Sequence, residues 1–405
     1  MIKQTLLACL LSATIATGIP ERTYTPLEEF KQSPRQSETI AYKLTQDKLL
    51  LGMLAPPIGI PAGLPSSLID SIQIITVPIA SSATSGTTTI SSVDTARSFV
   101  VSGGWTHPSN GAFNASNACA RHELTNSTTV TAYRDSSSSD AITVYCTVVQ
   151  LKSAFVVRIQ QGTITLTAAS SNTATITSVA TANSILLYNG ATCSSTSNRM
   201  DIWACSVSET SSTVITAQRG TTTGNCTVGY TRIELISGVI TLNQKSAVVC
   251  SSSATGTTTI TSTTTARTAL FHCGWYSASA SLTNGLSPWI TLTNSTTVTA
   301  THSGTSGDNQ TTSFCAIEFA ARYINSVQMG SDTIANSTSS KNTAISSVNT
   351  SLTVPVYMGQ TNNVLTPGTV LGACSLTGAT TSTVYRGFAY ASGPMIVGYQ
   401  QVEFK

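Results

Sequence analysis

LTNSTTVTA, residues 124–132, returns letter for letter at 292–300. A nine-residue identity inside one chain marks duplication, so the repeat is the first thing to trace outward. Upstream of the first copy stands TTTISSVDTARSFVV at 87–101, and its counterparts are TATITSVATANSILL at 173–187, TTTITSTTTARTALF at 257–271 and NTAISSVNTSLTVPV at 342–356. The copied string lies in a second box that ends on Arg134, with related boxes ending on Arg219, His302 and Arg386. A third, apolar box closes each copy: VYCTVVQL from Val144, VGYTRIEL from Val228, SFCAIEFA from Ser313 and VGYQQVEF from Val397. The chain therefore divides into a dissimilar segment at 1–70 and four modules at 71–154, 155–235, 236–320 and 321–405.

Each module has the pattern of β structure. Ser and Thr supply roughly 30% of the 405 residues, against 9% charged and 6% aromatic, a departure towards a Thr-rich β protein. Val, Ile and Leu recur in register, so each copy can bury one face, unlike a disordered Ser/Thr tract. In the first module the alternation predicts strands at 71–77, 87–90, 98–103, 120–124, 129–134 and 142–151. The tetrad 125–128 supplies a hairpin turn, since Asn and Ser bond their own backbone there. Six strands with one apolar face need a covering layer, which predicts an all-β protein of four tandem small antiparallel β-sandwich modules. A parallel β-helix is the competing architecture, but its rungs repeat at about 20–25 residues and not about 85.

The first seventy residues differ. They hold 11 of the 37 charged residues within the first 50 positions. Lys3 and the apolar run 6–16 have the form of a secretory signal peptide, and the run is too short to cross a bilayer as a helix. The reading adopted is an extended, partly helical anchoring arm. Leu6, Leu7, Leu10, Leu27 and Phe30 are its contact residues, Pro34 interrupts the helical part, and the Pro-rich stretch 55–65 forms a stiff linker.

The IQ-containing opening strand (IQQGTITL from Ile159), the TITSV box, the ELTNSTTVTA hairpin and the closing VVQL or VEF strand resemble modules of tailed-bacteriophage virion proteins such as tail, collar or head fibres. Their strand order is also similar to that of the six-stranded H-type lectin sandwich. The resemblance spans about 330 residues. It implies a virion fibre or decoration protein whose arm meets portal, adaptor, collar or capsid proteins, a homotrimer, and a host-surface glycan as a further partner. Repeat two departs from it with DIWACSVSET from Asp201, and sugar-binding residues do not match position by position.

Catalytic chemistry finds little support. His107, His122, His272 and His302 do not recur at one place in the modules, and abundant Ser makes any Ser–His proximity uninformative. The sparse carboxylates show no EF-hand or paired-acid spacing. Cys119, Cys146, Cys193, Cys205, Cys226, Cys250, Cys273, Cys315 and Cys374 show no CxxC spacing, which argues against zinc. No cofactor, metal or enzymatic activity is expected, and buried thiols compete with disulfides such as Cys119–Cys146 or Cys250–Cys273. A net charge of +3 is too slight to call for nucleic acid.

The recognition candidates are aromatic. Trp105 with His107, and Trp275 with Tyr276, fall at equivalent points where a loop is expected to begin. An exposed Trp there stacks on a sugar or anchors a subunit, while the competing role is packing at the module's rim. The basic residue closing each hairpin, Arg134, Arg219, Arg386 or His302, is expected to be a solvated strand end or half of an inter-subunit pair. Two function classes remain: a virion structural protein docked through its arm, or a secreted or surface glycan-binding adhesin whose apolar start is an export signal.

Overall fold

A computed structural model describes residues 64–108, 114–197, 199–251, 253–278, 287–303, 309–362, 371–389 and 393–405. The arm, with Leu6, Leu7, Leu10, Leu27 and Phe30, lies outside the described residues. Four sets of six strands follow one another. The first is β1 (Ile69–Ile79), β2 (Ser85–Thr89), β3 (Ser98–Thr106), β4 (Arg121–Asn126), β5 (Thr129–Tyr133) and β6 (Ile142–Leu151). The second is β7 (Val156–Thr167), β8 (Ser171–Thr175), β9 (Ser184–Cys193), β10 (Ser206–Ser211), β11 (Val214–Gln218) and β12 (Asn225–Leu235). The third is β13 (Ile240–Cys250), β14 (Thr255–Thr259), β15 (Thr268–Ser277), β16 (Trp289–Asn294), β17 (Thr297–Thr301) and β18 (Gln310–Phe319). The fourth is β19 (Ile324–Ile334), β20 (Ser340–Ala344), β21 (Thr353–Asn362), β22 (Gly372–Gly378), β23 (Thr381–Arg386) and β24 (Met395–Phe404).

The recurrent boxes are recurrent because they bond to one another. Ile90 and Val93 of the first box donate backbone N–H groups to Thr128 and Ser127 in the hairpin turn. The same bonds join Ile176 to Thr213, Ile260 to Thr296 and Ile345 to Thr380. Asn126 and Asn294 each accept from the backbone N–H two residues on, at 2.9 Å, which fixes the turn of the copied string. Across each hairpin two Thr hydroxyls meet: Thr125 with Thr131, Thr210 with Thr216, Thr293 with Thr299 and Thr377 with Thr383. The Gln of the opening strand binds a backbone N–H and C=O of the first box in every copy, Gln73 at Ser91, Gln160 at Thr177, Gln244 at Thr261 and Gln328 at Ser346. The closing box contributes Gln150, Glu234, Glu318 or Glu403, which accepts from the N–H of Asp94, Ala180, Thr264 or Asn349. Thr and Gln thus satisfy backbone groups that a charge-poor surface would otherwise leave to water.

The sheets do not close within single repeats. Each of the four antiparallel sheets has six strands, and each takes three from one repeat and three from another: β2-β5-β4-β9-β12-β7, then β13-β18-β15-β10-β11-β8, β14-β17-β16-β21-β24-β19, and β1-β6-β3-β22-β23-β20. The fourth strand of every repeat thereby joins the third strand of the next, and β22 of the last repeat returns to β3 of the first. The result is a propeller-like ring of four small sheets, and the described residues form one compact unit. Self-contained tandem sandwiches would keep their strands to themselves; here every sheet is shared between two repeats.

Each seam rests on one residue pair and one glycine: Arg121 with Gly190, Ser206 with Gly274, Trp289 with Gly359, and Ala373 with Gly104. All four glycines have φ between 84° and 95°. A Cβ on any of them would lie 2.2–2.3 Å from a carbonyl oxygen of the neighbouring repeat, so the seams require glycine for conformation and for space.

Inside the ring, the third and sixth strands of all four repeats face a common core. Val101, Leu187, Phe271 and Val356 form one layer, with Phe99, Ile185, Val354 and the closing Leu151, Leu235, Phe319 and Phe404 below it. Where the third repeat offers only Ala269, its Phe271 supplies the volume. Each such side chain contributes about 1.5–3 kcal/mol of burial. Repeat one has a second apolar cluster of its own, from Val77 and Val100 to Leu124 and Val144, between its two groups of three strands.

Candidate functional site

Above the apolar layer the same strands enclose a cavity of about 60 Å³, counted over positions a water centre can occupy. That is room for a few waters, not for a drug-sized molecule. It is lined by four equivalent residues, Ser102, Tyr188, His272 and Tyr357, and by Trp105 and Trp275 from alternate repeats. Trp203 meets Trp275 edge to face at a centroid distance of 5.6 Å.

The structure therefore brings Trp105 and Trp275 together, but not in loops. Both lie within strands, β3 and β15, beside the bulges that the seam glycines create. Trp275 is buried, and Trp105 donates from Nε1 to the Ala118 carbonyl at 3.0 Å. Where a loop was expected to begin at Trp105 there is a bulge through which the strand continues. His107 is buried beyond β3, and burial lowers its pKa. Neither His107 nor Tyr276 lines the cavity.

The basic residues closing the hairpins are also not solvated. Arg134, Arg219, Arg386 and His302 are at most 3% exposed. Arg134 donates to the carbonyls of Ala80, Ala83 and Asp140 at 2.7–2.9 Å, tying the β1–β2 turn to the β5–β6 connection. Arg219 and Arg386 make the corresponding bonds, to Ala169, Thr223 and Gly224 and to Ala335, Thr338 and Gly393. The guanidinium fork is the reason Arg occupies a position that must satisfy several carbonyls at once.

A second concavity, of about 250 Å³, opens where β4 leaves β9 after their single shared pair. Gln161 bridges the wedge by donating to the Leu124 carbonyl at 2.9 Å. In the matching wedge of repeats three and four, the Met329 sulfur accepts from Leu292 N–H and Thr291 Oγ1 instead. Arg121 lies over the Tyr133 ring at 4.1 Å and pairs with Glu123 at 2.8 Å, and Tyr133 donates to the same carboxylate at 2.8 Å. Arg121, Glu123, Thr125, Thr163 and Tyr230 give this wedge a mixed donor and acceptor lining.

His122 stands on the inward side of β4, where the equivalent residues are Val207, Ile290 and Cys374. It is 1% exposed, and among the described residues neither ring nitrogen has a hydrogen-bond partner. Burial, with a smaller push from Arg121, brings its pKa down to about 4. Its folded value lies below the unfolded 6.5, so the unfolded chain binds the extra proton and stability falls as pH drops from about 6.5 towards 4. For one such group this reaches about 3 kcal/mol. His272, at about 4 for the same reason, adds to it. His122→Val is expected to flatten the melting-temperature profile over this range while leaving neutral-pH stability unchanged or higher; thermal melts from pH 7 to pH 4 that run parallel for the variant and the parent refute it.

The cysteines resolve differently from the pairs considered from sequence. Cys193 and Cys226, opposite one another on β9 and β12, form a disulfide, whereas Cys119, Cys146, Cys250 and Cys273 are buried thiols. Cys205 brings a third sulfur within 4.8 Å of that bridge. The disulfide holds two of these three donors, and burial raises the Cys205 thiol to about 12. No helix among the described residues is long and apolar enough to cross a membrane. No protein-family model matches the chain, and no curated protein matches it.

Proposed function

We propose that this chain is a structural component of a bacteriophage virion, a tail, collar or head fibre or decoration protein, without enzymatic activity. Its arm docks on portal, adaptor, collar or capsid proteins, and the ring projects outward, as a homotrimer. The observation that carries this reading is the return of β22 to β3. Four copies of one unit are spent on closing a rigid body, and the residues that recur in all four serve backbone bonding and packing. The virion assignment itself rests on the likeness of the boxes to phage modules. Each repeat is a small sandwich with shared edges in this reading, supported by the apolar cluster between the two strand groups of repeat one.

Cross-linking mass spectrometry of purified particles tests it. Links from residues 1–63 to other virion proteins are expected, with the ring surface accessible; links from the arm only to its own ring count against docking. The β4 wedge favours a second reading, a glycan-binding adhesin, because stacked Arg121–Tyr133 and a mixed polar lining suit a neutral sugar. Cleavage of about 17–20 residues from the natural N-terminus, seen by intact mass, favours this export route.

A further inference from the structure

Repeats two and three meet around a buried polar cluster that no recurrent box explains. Glu209 occupies a position held by Leu124, Leu292 and Leu376 in the other repeats, and fully buried Arg232 one held by Val148, Ala316 and Gln401. Glu209 pairs with Arg232 and, at 2.6 Å, with Lys245. The cluster thus sets two cations, fully buried Arg232 and 17% exposed Lys245, against one carboxylate, a balance that favours a further anion. Lys245 lies opposite Cys315 in the β13–β18 pairing, and Cys315 is 1% exposed. Its sulfur is 3.5 Å from that of Cys273, which is equally buried. In repeat two the same two positions hold Asn189 and Thr231, joined by a 2.8 Å hydrogen bond. The Cys273 thiol draws the Cys315 thiol below its ordinary range against the opposing effect of burial, with Lys245 adding to the pull, while Cys273 itself is raised.

We infer that Cys273 and Cys315 are an oxidisable dithiol, in which Cys315 is the peroxide-reactive sulfur and Cys273 the thiol that resolves it into a second disulfide. The Cys315 thiolate attacks one oxygen of hydrogen peroxide, the O–O bond breaks, and hydroxide leaves and takes up the proton Cys315 had released. The resulting sulfenic acid is attacked by the Cys273 sulfur; the S–S bond forms, the S–O bond breaks, and water leaves with the Cys273 proton. Two thiols and one peroxide become one disulfide and two waters. Peroxide suits the place because it is small and neutral, and a thiolate at Cys315 stands opposite the cation of Lys245.

The full chain is exposed to graded hydrogen peroxide, quenched with catalase, unfolded in alkylating reagent and mapped by peptide mass spectrometry. A Cys273–Cys315 linked peptide should appear at least about tenfold faster than any oxidation of the buried Cys146 and Cys374. In Cys273→Ser the stalled sulfenic acid at Cys315 should be captured by dimedone, and in Cys315→Ser no dimedone adduct should form at Cys273. Equal alkylation of Cys273, Cys315, Cys146 and Cys374 at every dose overturns the inference, as does linkage of Cys315 to any other cysteine. If either variant fails to fold, the map of the unaltered chain decides alone.

Discussion

Gly274→Val is expected to destabilise the ring by about 3–5 kcal/mol, enough to leave a marginally stable protein largely unfolded at 37 °C. Two costs add. The residue has φ of +84°, a conformation that costs a side-chain-bearing residue about 1–3 kcal/mol. Its first carbon would stand 2.3 Å from the Cys205 carbonyl oxygen and 2.8 Å from the Ser206 Cα, and overpacking against backbone costs about 1–3 kcal/mol more. Gly104, Gly190 and Gly359 face the same contacts, so alanine at any of them should already cost a large part of this. Gly378 is the control: a Cβ there meets nothing nearer than 3.7 Å, and Gly378→Ala should move the denaturation midpoint little. Urea unfolding followed by circular dichroism measures both. A seam variant whose midpoint matches that of Gly378→Ala would show that the four pairings are incidental to the fold.

Those glycines also mark what the sequence disclosed and what it concealed. Strands expected at 87–90, 129–134 and 142–151 appear at Ser85–Thr89, Thr129–Tyr133 and Ile142–Leu151, because β-branched alternation and fourfold repetition report local structure directly. The partner of each third strand was hidden. Period-two alternation says which face is buried but not which edge is paired, and here β3 pairs with β22, which lies in the last repeat of the sequence. The signal existed: Gly104, Gly190, Gly274 and Gly359 recur about 85 residues apart, and a glycine kept inside a strand in every copy points to a bulge or a close backbone approach.

The basic residues teach the same point through electrostatics. Arg134 stands at the end of a polar hairpin, where a solvated cation is the ordinary outcome, yet it is 3% exposed and saturated with carbonyls. Three arginines at one position of four copies was the clue, since a solvated end has no need of a fork of five donors. Trp105 and Trp275 were legible as special but not as lining one cavity, because that cavity is assembled from all four repeats. Strands and turns formed within one copy could be read; side chains facing the ring's interior depended on a closure that no single repeat encodes. The cluster of Glu209, Arg232 and Lys245 belongs to this second group, and it breaks the fourfold pattern.

Glu209→Leu restores the residue type of the other three repeats, yet it is expected to destabilise by about 3–5 kcal/mol. The leucine would fit the volume. The loss arises because Arg232, with no exposure, keeps its charge and loses the carboxylate, retaining among the described residues only Ser184 as a hydrogen-bond partner. Lys245 is less affected, being 17% exposed and bonded to the Thr181 carbonyl at 2.8 Å. Arg232→Val should cost less, since Glu209 keeps Lys245. Combining the two copies the Leu124–Val148 arrangement of repeat one, so the double variant should recover most of the loss and can exceed the parent, because removing both buried charges removes their desolvation cost. A double-mutant cycle by denaturant unfolding should then give a coupling of at least about 2 kcal/mol. High salt should leave it nearly unchanged, since the pair is closed to the ions that screen surface charges. Additive single effects would mean that Arg232 reaches water or another anion when Glu209 is absent, and that the pair does not close this part of the ring as a unit.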